Sequence, residues 1–127
     1  MLEGKKIFKV GAIWNFFLVI PFFFLKHLIT RWLQLSPVEY PVFIDLMLMN
    51  GFLIALLCVW ISRSKGKEII AMRFTVWAKF GFVLVFLYHI TINSMPHSLT
   101  LLLVPVVVID LGFAVGFQRQ LWKALSS

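Results

Sequence analysis

Residues 76–86 read VWAKFGFVLVF, a lysine set among ten apolar or small residues. The run around Lys79 extends from Ile69 to Ile92, with Arg73 one turn from its start. A stretch of this length and composition matches the roughly 20 residues that a helix needs to cross a hydrocarbon core of about 30 Å. The rest of the chain agrees. Of 127 residues, 61% are hydrophobic and only 13% charged, and the mean hydropathy is +0.97. Soluble domains are about half apolar and about a quarter charged. A water-soluble chain this short has too little interior to hide its 14 Phe together with so much Leu, Val and Ile, and the exposed surplus would aggregate. The solvent is therefore a bilayer.

Four stretches meet the spanning length: Ile7 to Leu25, Val42 to Ser62, Ile69 to Ile92 and Leu99 to Trp122. The first has a basic start, but IPFFFLKHL offers no small-residue cleavage site, so it is expected to remain as helix 1. The links KHLITRWLQLSPVEYP, SRSKGKE and NSMPHS are short and carry breakers. Short links leave successive helices side by side, so the expected fold is all-α: one polytopic membrane domain over residues 1–127, built as an antiparallel four-helix bundle. Residues 28–35, with Ile29, Trp32, Leu33 and Leu35 among polar neighbours, are a candidate interfacial helix.

The formal charge is +7. Nucleic acid is not the expected partner, because the cations lie in clusters between apolar runs and not along a water-facing stripe. Lys5, Lys6, Lys9, Arg63, Lys65, Lys67, Arg119 and Lys123 fall on one side of the map, and only Lys26 and Arg31 on the other. The positive-inside rule then puts both termini and loop 63–68 in the cytoplasm, as expected for a bacterial inner-membrane protein. The single cysteine, Cys58, lies in an apolar run and has no partner for an intrachain disulfide.

Depth along each helix picks out a candidate site. At 1.5 Å per residue, Lys79 lies about 15 Å and Asp110 about 18 Å from the cytoplasmic ends of helices 3 and 4. Asn15 lies at about 12 Å in helix 1 and Asn50 at about 18 Å in helix 2. A lone charge at mid-membrane costs several kcal/mol, so Lys79 and Asp110 are expected to pair inside the bundle. Two readings of this polar layer stand side by side. It is glue that sets helix register, or it is the polar end of a functional cavity. A third has Lys79 snorkelling to the interface.

Gly112 and Gly116 in GFAVG permit close helix contact within the bundle or with a second subunit. Pro21 and Pro105 remove backbone donors inside helices 1 and 4. His27, His89 and His97 all map to the outer side, with Met95 between the last two. Histidine and methionine ligate copper or haem iron, against which stands the ordinary reading of solvated interfacial histidines. Asp45 and Glu39 lie near the outer boundary, within reach of Lys26 or Arg31. Catalytic signatures such as GxSxG, HExxH, CxxC and a Walker loop are absent, which favours a binding or accessory role over an enzyme.

The size and layout resemble the small multidrug resistance transporters, whose exchange depends on a glutamate in the first helix. Here GAIWNFFLVIPFFF carries Asn15 and no acid, which argues against a cation exchanger of that kind. The stretches GAIWN (11–15), SRSKGKEII (62–70), AKFG (78–81) and IDLGFAVGF (109–117) resemble the small DoxX-like four-helix membrane proteins. That resemblance implies a compact bundle associated with quinone-linked or redox membrane systems, and no transferable catalytic residue. Three functions are thus open: a bundle binding a small or lipid-soluble ligand, such as a quinone headgroup, through Lys79, Asp110, Asn15 and Asn50; an accessory subunit meeting a membrane partner or a second copy; and a minimal transporter or proton pathway using Lys79 and Asp110.

Overall fold

In a computed structural model, which describes residues 5–32, 41–94 and 97–126, the chain forms four helices: α1 (Lys6–Trp32), α2 (Pro41–Arg63), α3 (Ile69–Thr91) and α4 (His97–Ser126). Their neighbours follow from side-chain contacts. Lys5 Nζ donates to the carbonyls of Ser64 and Gly66 at 2.6 and 2.5 Å, tying the start of α1 to the end of α2. At the other end Lys26 pairs with Asp45. The two helices are therefore antiparallel. Val83 and Phe86 of α3 pack on Leu103 and Val107 of α4, so α3 and α4 form a second antiparallel hairpin.

All four helices are long and apolar enough to cross a membrane, yet only 17–39% of the residues in their most apolar windows are buried. Their outward faces carry Phe17, Phe24, Ile70, Trp77, Leu84 and Val108. In water such a surface would associate; in a bilayer it is solvated by lipid. The protein is an integral membrane four-helix bundle.

The two hairpins join in the half that carries the basic clusters. Phe8 and Phe117, both fully buried, stack with centroids 4.3 Å apart. Ala12, Cys58, Ile61, Met72, Val76 and Leu121 complete this core. Lipid is as apolar as these side chains, so close packing and not transfer from water holds the helices together. Glycine makes the close approach of α1 and α4 feasible. A Cβ on Gly11 would stand 2.6 Å from the ring of Phe117, and one on Gly116 would meet Ile7.

The bounds of α1 and α4 differ most from those read in the sequence; α4 runs His97–Ser126, longer at both ends than the expected Leu99 to Trp122. Helix 1 does not stop near Leu25, nor do residues 28–32 form a separate interfacial helix; α1 runs unbroken to Trp32. Two local partners explain the continuation. Asp45 neutralises Lys26 at 2.5 Å, and the Thr30 hydroxyl donates to the Lys26 carbonyl at 2.6 Å. Positions 33–35 lie outside the described residues, as do Glu39 and Met95. α3 ends at Thr91, where Asn93 takes a left-handed φ of 54° and the Ser94 N–H donates back to His89 O at 3.0 Å. Asparagine tolerates that conformation better than most residues, which suits it to a helix stop.

Candidate functional site

Lys79 leaves α3 at mid-helix, and its length lets it cross the bundle interior. Its ammonium donates to Asp110 Oδ1 on α4 at 2.8 Å and to Asn15 Oδ1 on α1 at 2.5 Å. α1 and α3 are diagonal across the bundle, so the aliphatic stem bridges helices whose backbones do not touch. Lys79, Asp110 and Asn15 are 4%, 5% and 6% exposed, which excludes the snorkelling arrangement for Lys79. Asn15 Nδ2 points to Gly51 O of α2, at 3.5 Å, the long limit for such a bond. The cluster thus touches all four helices.

One member escaped the sequence reading. Trp14 donates its indole N–H to Asp110 Oδ1 at 3.0 Å. The available signal was its position beside Asn15, at nearly the same depth, and the need of a half-buried indole for an acceptor. Asp110 Oδ1 therefore takes two hydrogen bonds. Its Oδ2 accepts none from the described residues, although no fully enclosed side-chain nitrogen or oxygen among those residues lacks a partner. Asp110 itself lines a cavity.

That cavity measures about 430 Å³ and is lined by residues of all four helices. Lys79, Asp110 and Asn15 form its inner end, Leu18, Phe22, Phe82, Leu103 and Val106 its walls, and Ile29, Trp32, Met47 and Leu102 its far end. The far end lies away from the basic clusters, where the hairpins diverge. Contacts of α1 with α4 (Gly11 on Phe113, Trp14 on Asp110) cluster below it, in the packed half. The volume is within the range of small-molecule sites, roughly 300–1,000 Å³. Apolar walls with a few converging polar groups also fit that class.

The remaining predicted residues scatter. Asn50 lines the cavity but is exposed, and it makes no hydrogen bond to the described residues. Its depth was legible, but its rotation around α2 was not. Gly116 faces Ile7 within the chain, whereas a Cβ on Gly112 would meet nothing within 4 Å, so Gly112 sits on an open outward face. His89 Nδ1 bonds Ser94 Oγ at 2.6 Å; His27 and His97 are exposed at helix ends. Among the described residues no three His, Cys, Asp or Glu side chains converge as metal ligands.

The stretches GAIWN, AKFG and IDLGFAVGF, quoted above from the sequence, supply Trp14, Asn15, Lys79 and Asp110 to this one cluster. Comparison with protein-family models, with curated proteins and with solved structures returns no match for the chain.

Proposed function

We propose that the protein binds a lipid-soluble small molecule in the cavity between its two hairpins, with the polar head against Lys79 and Asp110 and the apolar body along the walls. The observation that carries this reading is the buried ion pair standing at the inner end of a cavity walled mainly by apolar side chains. A pair serving only as helix glue would be enclosed by side chains on every side; here Lys79, Asp110 and Asn15 all line a cavity. The packed half beneath, with Phe8 stacked on Phe117, favours binding over transport, because a conduction path would have to pass through it. By the positive-inside rule the basic end belongs in the cytoplasm of a bacterial cell, so the cavity would open within the outer leaflet of the inner membrane. The likeness to DoxX-like proteins fits a quinone-sized ring, in its hydroxylated quinol form, as one member of this ligand class.

The test is extraction of the purified protein followed by mass spectrometry of the lipid-soluble fraction. Wild-type protein should carry a compound enriched over the bulk membrane lipids, and Lys79→Met, with helical circular dichroism retained, should lose it. A wild-type extract indistinguishable from bulk lipid would refute the reading.

A further inference from the structure

Resting on that reading, we infer that the cavity selects an uncharged amphiphile whose head carries a hydroxyl group, over anionic heads and over heads that only accept hydrogen bonds.

Charge gives the first half of the argument. Lys79 and Asp110 are buried and joined at 2.8 Å, so the inner end of the cavity is formally neutral. A carboxylate or phosphate head would bring a net negative charge into a low-dielectric site and strip its hydration without a free cation to replace it. An uncharged head leaves the balance intact.

Hydrogen-bond capacity gives the second half. An ammonium has three N–H donors, and Lys79 gives two of them to Asn15 and Asp110. The third is open. Asp110 Oδ1 is already engaged by Lys79 and Trp14, while Oδ2 accepts nothing from the described residues and Asp110 lines the cavity. The inner end therefore presents one open donor and one open acceptor side by side. A hydroxyl satisfies both, donating to Oδ2 and accepting from Lys79 Nζ. An ether or ketone serves only Nζ and leaves a carboxylate oxygen desolvated and unpaired, which disfavours it by about tenfold or more. The alkyl or aryl body then lies along Phe22, Phe82 and Leu103.

The test compares three probes of similar length in phosphatidylcholine nanodiscs at neutral pH: 4-nonylphenol, its methyl ether 4-nonylanisole, and decanoate. Affinities are measured by calorimetry and referred to the membrane-partitioned concentration of each probe. For the wild type, the phenol should bind at least about tenfold more tightly than the ether, and decanoate more weakly than the phenol. Asp110→Asn removes the anion and leaves the Lys79 charge unbalanced, so decanoate should become the preferred probe and the phenol's advantage over its ether should shrink. The wild-type series needs no variant and decides the matter even if Asp110→Asn does not fold. Equal affinity for phenol and ether, or tighter binding of decanoate to the wild type, would overturn the head rule while leaving the ligand-binding reading intact. Failure of all three probes to bind would overturn both.

Discussion

Removing either charge of the Lys79–Asp110 pair should destabilise the bundle far more than removing both. In Asp110→Leu, the ammonium of Lys79 stays buried with Asn15 as its remaining partner among the described residues, and the Trp14 N–H loses its acceptor. In Lys79→Met, the carboxylate stays buried with the Trp14 indole as its remaining donor. Breaking a buried pair by removing one partner costs about 3–5 kcal/mol. The double variant leaves no buried charge; Met matches Lys in volume, and the larger Leu has the adjoining cavity to enter. It orphans the Trp14 N–H and the Asn15 carbonyl, at about 1 kcal/mol each, so its total cost should be about 2 kcal/mol. The singles together would sum to roughly 6–10 kcal/mol, which makes the coupling about 4–8 kcal/mol. Equilibrium unfolding in mixed micelles of rising dodecyl sulfate fraction, followed by circular dichroism, gives all four free energies. Additive singles, with a coupling below about 1 kcal/mol, would refute a dry ion pair joining α3 to α4.

Three further outcomes follow from the packing and the loop contacts. Gly11→Ala places a methyl group against the ring of Phe117, which is fully buried and stacked on Phe8, and should destabilise by roughly 1–3 kcal/mol in the same unfolding assay. Gly112→Ala, with open space around its Cβ, should be neutral or stabilising by up to about 1 kcal/mol. Lys5→Met removes two charge-assisted bonds to the carbonyls of Ser64 and Gly66. Limited trypsin digestion should then cut after Lys65 and Lys67 several times faster than in the wild type, and an unchanged rate would contradict the clamp.

The sequence carried the depth of each polar group and left its direction around the helix undetermined. Counting 1.5 Å per residue set Lys79 level with Asp110, and the cost of lone charges in lipid made the pair the natural arrangement. Asn15 and Asn50 satisfied the same count, yet Asn15 turns inward onto Lys79 while Asn50 turns to an exposed rim. The helices are apolar on every face, so no amphipathic stripe distinguished one rotation from another. Gly112 and Gly116 show the same limit: a GxxxG pattern marks a face able to approach a neighbour, and the packing of Ile7 uses Gly116 alone. The length of α1 was hidden by Lys26 and His27, whose polarity looked like the end of a span. Asp45 sits where it neutralises Lys26, so the helix continues. The cavity itself had no sequence signature, because most of its walls are ordinary apolar side chains contributed by all four helices.

Photolabelling would test the ligand-binding cavity most directly. A long-chain alcohol carrying a diazirine at mid-chain is irradiated with the protein in nanodiscs, and the labelled residues are located by peptide mass spectrometry. Labels should concentrate on Leu18, Phe22, Phe82, Leu103 and Val106, which wall the cavity, and should fall when excess unlabelled alcohol competes. Labels spread over the lipid-facing residues Ile70, Trp77 and Val108, insensitive to competitor, would contradict a binding site between the hairpins.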